Sequence, residues 1–151
     1  MSPELQEYTK TVLSAGLWQL SPMDIMHHES VTTMVLHRYG CFQTELVIGH
    51  PNAKEWPDEH NHPNVDSVEV SLFNCSGFIR NGAVVNEPDF IVNGRACVIL
   101  NHNDKHKVPV VKNGFCLLSI QQWLNGKEPT SVGLDWEGEP VSEGHKAQLG
   151  M

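Results

Sequence analysis

Positive charge is scarce in this chain: Lys and Arg together number 10 against 18 Asp and Glu, a formal net charge of -8. The few cations are scattered instead of forming the stripe that neutralises phosphates, so no nucleic-acid partner is expected. Long apolar runs are missing as well, so no membrane partner is expected. The stretch after Met1 carries Glu4, Glu7 and Lys10 in place of a basic start and an unbroken apolar segment. No secretory leader is therefore read there, and a cytoplasmic location is expected. The four cysteines, Cys41, Cys75, Cys97 and Cys116, stand far apart with no C-x-x-C pair. They read as buried free thiols in a reducing compartment, the alternative being one isolated disulfide in a β-sandwich. Repeats and low-complexity tracts are lacking too.

What is present is histidine, nine in 151 residues. A chain of this length forms one domain that buries roughly two-thirds of its unfolded surface without staples. Ser2-Pro3-Glu4 is a helix start, and Leu5, Tyr8, Thr9, Val12 and Leu13 then share one face up to Gly16. Leu17 to Ile25, broken by Ser21-Pro22, reads as a loop across the body of the domain. From Val31 the texture turns to β. Residues 31–39 and 42–48 form a hairpin about Gly40, and 66–74 is the next strand. Asn81-Gly82 and Asn93-Gly94 each mark a tight hairpin turn. Residues 108–111 and 115–123 read as one more hairpin about Lys112-Asn113-Gly114. Past Asn125-Gly126 the sequence is rich in Gly and Pro and reads as an extended arm, with one short strand near Val132 to Trp136 and disordered last residues.

Short strands at regular spacing with turn chemistry between them predict an all-β sandwich or small barrel, of which a jelly roll suits about eight strands. The chain divides into a helix and lead-in over 1–30, a barrel over 31–123 and a C-terminal arm over 124–151.

Chemistry concentrates in His60-Asn61-His62-Pro63-Asn64-Val65-Asp66, which leads into a β-rich run. Neutral imidazoles beside a carboxylate suit iron, zinc, nickel, manganese or copper, and a His-x-His pair can turn both rings to one ion. A distant ligand is still required. His106, just before the expected last hairpin, is the first choice, and His102 is its competitor. His37 and Tyr39, on an early strand, are wall residues or else an acid, base or hydrogen-bonder near the metal. His27-His28 reads as a solvated loop. Trp56, Trp123 and Trp136 read as core or rim packing, and Arg80 and Arg95 as too isolated to clamp an anion.

The segment from His60 to Asp66, with Gly77 downstream and His106 ahead of Val108-Pro109, resembles the two motifs of the cupin superfamily. The first has the form H-x-H-x(3,4)-E followed by a glycine. The likeness spans roughly residues 31–123, with Asp66 at the place of the usual glutamate and with the glycine and proline scaffold of the second motif mostly absent. It implies a cupin jelly-roll barrel holding one divalent transition metal (Fe, Zn, Ni or Mn) on His60, His62, Asp66 and His106. Glu69 is the alternative to Asp66. If Val68, Val70 and Leu72 face the interior, alternation turns Asp66 inward with them and Glu69 to the opposite face, unless a bulge near Ser67 reverses the order. The carboxylate left over is then a partner for a histidine ring.

The resemblance further implies an enzyme acting on a small molecule, as a dioxygenase, lyase or isomerase, and a homodimer paired through its sheets. The competing reading is a non-catalytic jelly-roll binding or assembly module with a structural metal or none. Metal content separates the two.

Overall fold

Residues 1–27, 30–53, 59–75, 77–108, 112–126 and 128–129 are described by the computed structural model of the chain. Most of the expected C-terminal arm, including the strand near Val132 to Trp136, lies outside these residues, as do His28 and Trp56.

The amino-terminal pattern folds as its chemistry dictates. Helix α1 (Pro3–Ala15) is capped by the Ser2 side chain, which accepts from the Leu5 amide at 3.0 Å. It ends at Gly16, in the left-handed region at φ 67°. Leu5, Tyr8, Thr9, Val12 and Leu13, the face set by the spacing, are its buried residues.

Seven antiparallel strands form the main sheet: β1 (Asp24–His27), β2 (Val31–Tyr39), β3 (Phe42–Gly49), β4 (Val65–Phe73), β7 (Phe90–Val92), β8 (Arg95–Leu100) and β10 (Phe115–Trp123). Their spatial order is β1-β2-β3-β10-β4-β8-β7. A smaller sheet, β6-β5-β9, is made of β5 (Ile79–Arg80), β6 (Ala83–Val84) and β9 (His106–Lys107). The architecture is an all-β, jelly-roll type sandwich with one short helix.

Both Asn-Gly turns are where the sequence puts them. Asn81 and Gly82 have φ of 52° and 78°, and Asn93 and Gly94 have 50° and 75°, the doubly positive pair of a type I′ turn. One expectation is corrected. The segment read as a loop across the body, Leu17 to Ile25, runs at its end into β1, an edge strand paired to β2 through Asp24↔Val35 and His27↔Thr32. Its residues are mostly exposed, so no alternation betrays it. Of the expected last hairpin, residues 109–111 lie outside the described residues; its second strand is β10, which pairs with β3 and β4, while β9, just before it, pairs with β5 in the small sheet.

The main sheet has two different faces. One packs against α1: Val68 and Val70 of β4, Leu118 and Ile120 of β10, Leu36 of β2 and Cys97 of β8 cluster with Leu5, Tyr8, Val12 and Leu13. Burying a side chain of this kind contributes about 1.5–3 kcal/mol, so this layer carries much of the stability. Tyr8 docks the helix by polar contacts as well, its hydroxyl lying 2.9 Å from Thr44 Oγ1 and 2.9 Å from His37 Nδ1. The other face looks across to the small sheet and encloses a cavity. Arg80 of β5 clasps the two sheets by donating to Asp89 Oδ2 at 2.7 Å and to the Ile99 carbonyl at 2.9 Å. It is thus not the isolated residue that the sequence suggests, and Arg95 likewise sits over the Trp18 ring at 4.9 Å.

Candidate metal centre

The histidine site is assembled by main-chain pairing between two distant segments. His60 and His106 form an antiparallel bridge, with the His60 amide donating to the His106 carbonyl at 3.1 Å and the His106 amide donating back at 2.8 Å. Since His106 is also paired to Arg80, His60 extends the small sheet by one bridge. A turn closed by the Val65 amide on the His62 carbonyl, 3.1 Å, then swings His62 in and launches β4.

The ring centroids of the three histidines lie 4.6 Å (His60 and His106), 5.0 Å (His60 and His62) and 5.1 Å (His62 and His106) apart. One nitrogen from each falls within 4.8 Å of the others. Phe78 stacks on His106 at 6.1 Å with planes 10° apart. Three half-buried imidazoles converging in this way fit a transition-metal ion, which takes such nitrogens at about 2.0–2.1 Å.

The rings open into a cavity of about 100 Å³ between the sheets. At roughly 10–15 Å³ per water-sized group, it has room for a molecule of several non-hydrogen atoms. Apolar walls come from Val31, Val47, Val65, Phe78, Val108, Phe115, Leu117 and Trp123. Polar groups are placed by register. Ser119 of β10 stands opposite both Glu45 of β3 and Glu69 of β4, and Gln121 opposite Gln43 and Ser67. The Trp123 ring N–H donates to Gln121 Oε1 at 3.0 Å, and Gln121 Nε2 donates to Ser119 Oγ at 3.0 Å. Ser119 Oγ and Ser67 Oγ both donate to Glu69 Oε1, each at 3.1 Å. On the neighbouring strand Arg38 Nε donates to Gln43 Oε1 at 2.5 Å, and Gln43 Nε2 donates to Glu45 Oε1 at 2.6 Å.

Glu69 ends this network. Its Oε2 is buried and has no hydrogen-bond partner among the described residues. Burial pushes its carboxyl up to about 7, against the pull of the Ser67 and Ser119 hydroxyls.

The candidate ligands are therefore not all brought together. His60, His62 and His106 converge, whereas Asp66 does not join them. Asp66 Oδ1 accepts from the His102 amide and faces His102 Nδ1, both at 2.8 Å. Alternation does turn Asp66 the same way as Val68 and Val70, but that face is the one α1 covers. The cavity lies on the opposite face, with Glu69. His102, the alternative to His106, is held by Asp66 outside the cluster. His37 and Tyr39 do not reach the cavity: they line a separate open groove beside α1 with Tyr8 and Phe42, and Tyr39 is 72 % exposed.

Residues that the sequence reading passed over are Gln43, Glu45, Ser119 and Gln121. Their signal was a run of polar residues alternating with Thr44, Leu46, Leu118 and Ile120 in strong β segments. Such a run marks a second face without saying whether water or a cavity lies on it. The four cysteines are free thiols, and burial pushes Cys97 and Cys116 up to about 11, which keeps both protonated.

An all-β sandwich of this topology, with a three-histidine cluster between its sheets, has a cupin-like fold. Among solved structures it is similar to KdgF from Halomonas sp., a cupin-fold protein, with TM-score 0.51 and 10 % identity over 68 % of this chain and 89 % of that one. A plu4264 protein from Photorhabdus luminescens matches with TM-score 0.48 and 14 % identity over 68 % of this chain and 86 % of that one. No family model matches the sequence, and no curated protein does. Among the described residues, no helix is long and apolar enough to cross a membrane.

Proposed function

We propose that this chain is a cupin-type enzyme that holds one divalent transition metal, Fe, Zn, Ni or Mn, on His60, His62 and His106 and acts on a small molecule bound in the adjoining cavity. The carrying observation is the convergence of three histidine nitrogens within 4.8 Å in the wall of a half-open cavity. Three protein donors leave coordination positions open, whereas structural sites are closed by four. This favours catalysis over the alternative of a structural metal in a binding or assembly module. Bound metal would supply Lewis acidity, or with iron a site for dioxygen, which suits lyase, isomerase or dioxygenase chemistry. The chain's own part is to fix the rings by the His60–His106 bridge, to exclude bulk water with the Phe78, Phe115 and Trp123 walls, and to present Glu69 to whatever enters. Four unpaired thiols support a reducing, cytoplasmic setting.

Elemental analysis of the purified chain tests the reading. Near-stoichiometric metal is expected, and it should be lost in the His60→Ala, His62→Ala double variant and in His106→Ala. A wild-type chain that takes up none of the four metals after reconstitution, with unchanged thermal stability, would sink the proposal.

A further inference from the structure

Glu69 is an anomaly in a stability account. A carboxyl held between two sheets, with one oxygen accepting from two serines and the other buried and, among the described residues, without a partner, should have been selected against unless something in the cavity uses it. Among the described residues, Lys107 is the one Lys or Arg lining the cavity, and it forms no ion pair with Glu69. The network from Trp123 through Gln121 and Ser119 fixes Oε1 and so orients the free oxygen. Glu69 also stands four residues along β4 from Val65, about 13 Å at 3.3 Å per residue, so it sits well inward of the turn that carries His62.

We propose that Glu69 is the specificity-determining residue of the cavity: its free oxygen receives a hydroxyl or amine of the bound molecule, whose other end reaches the histidine cluster. The substrate class is thus a short, largely apolar molecule with an oxygen or nitrogen group that can meet the metal and an O–H or N–H donor at a distance from it. This inference rests on the metal reading above, and it deepens that reading by naming what the metal's substrate carries. A carboxylate ligand bound to the metal is a different role, and Glu69 is not among the three residues whose donor atoms converge.

Matched pairs of short carboxylates test it, because each pair has nearly the same shape and differs by one donor: glycolate against propionate, 3-hydroxypropionate against butyrate, 4-hydroxybutyrate against valerate. Binding to the reconstituted chain is measured by calorimetry. In an apolar cavity without a polar anchor, the methyl-ended member should win. With Glu69 as anchor, the hydroxyl-ended member of at least one pair should bind on the order of 10-fold tighter or better, the worth of one hydrogen bond to a charged or strongly polar acceptor. In Glu69→Leu the preference should reverse. Glu69→Gln, which preserves shape, keeps the fold controlled for, and should retain stoichiometric metal while reducing the preference at least 3-fold. Equal or methyl-favouring affinities in every pair for the wild type overturn the inference, as does a preference unchanged in both variants. Loss of metal from Glu69→Gln assigns Glu69 to the metal instead and also overturns it. Absence of metal from the wild type is a separate result, and it defeats the metal reading alone, since the preference is measurable on the metal-free chain.

Discussion

Single residues in this chain take their meaning from which face of the main sheet they occupy. Glu69 has a carboxyl raised to about 7 by burial, so in the folded chain it holds its proton above the range in which an unfolded glutamate releases it. Its contribution to stability is full below about pH 4.5 and is lost as pH rises through about 7, where the enclosed group must ionise. Relative to Glu69→Gln, the metal-free wild type should therefore lose up to about 3 kcal/mol between pH 4.5 and 8, at 1.36 kcal/mol per pKa unit. Urea unfolding of both proteins at the two pH values checks this, and parallel curves would contradict it. The residue that carries this prediction was legible only in part. The sequence offers Glu69 as a possible site residue, and alternation sets it on the face opposite Val68. What alternation cannot supply is which side of a sheet holds the cavity once a helix covers the other side with an apolar layer. His60, His62 and His106 were legible because a His-x-His pair and a third histidine ahead of a strand are local signals.

At the scale of elements, α1 and the entry to β10 are the sensitive points. Ser2 does two things at once: its oxygen accepts from the Leu5 amide, and its hydroxyl donates to Gln122 Oε1 of β10 at 2.6 Å. Ser2→Ala should cost about 1 kcal/mol or slightly more, the ordinary loss of a helix cap plus a tie to the sheet. Leu5→Ala, at a fully buried position, should cost about 3 kcal/mol. Thermal unfolding resolves the two, at roughly 2–4 °C per kcal/mol for a chain of this size. Gly114 precedes β10 at φ 76°, and a Cβ there would run into the carbonyl oxygen of Gly49, its neighbour across the β3–β10 ladder. Gly114→Ala should cost more than the ordinary glycine penalty and should be hardly relieved by other small side chains, because the obstacle is backbone. The helix and the Asn-Gly hairpins were readable because caps and turns are written in three or four adjacent residues. The pairing of β10 with β3 and β4 was not, since it joins segments about 50 to 75 residues apart and leaves no mark within any one of them.

For the whole molecule, the two sheets and the bridge between His60 and His106 bring the three histidines together only in the folded state, so the proposed metal would bind the native chain alone. A metal that binds only the native chain stabilises it by roughly 2.7 kcal/mol at a hundred times its dissociation constant. The reconstituted protein should therefore melt about 5–10 °C above the metal-free one, with the difference abolished by a chelator and absent from the His60→Ala, His62→Ala variant. Acidification through the ordinary histidine range should release the metal, because only neutral imidazole is a ligand. Metal retained well below pH 5 would count against histidine ligation.

The two-faced sheet has a further consequence for how the gene tolerates change. Along β10, Leu117, Ser119, Gln121 and Trp123 look into the cavity, with Ser67 and Glu69 of β4 and Val47 of β3 beside them, whereas Leu118 and Ile120 face α1. A saturation scan along β10 should then read as two interleaved spectra: substitutions at 118 and 120 thin the apolar layer beneath α1, while those at 119 and 121 break the hydrogen-bond network that holds Glu69 and reshape the cavity. Insertion of a single residue at the start of β10 would exchange the two spectra, setting leucine and isoleucine against the histidines and serine and glutamine against the helix. Point substitutions can thus act on one face at a time, whereas a shift of register along this strand unmakes both faces together.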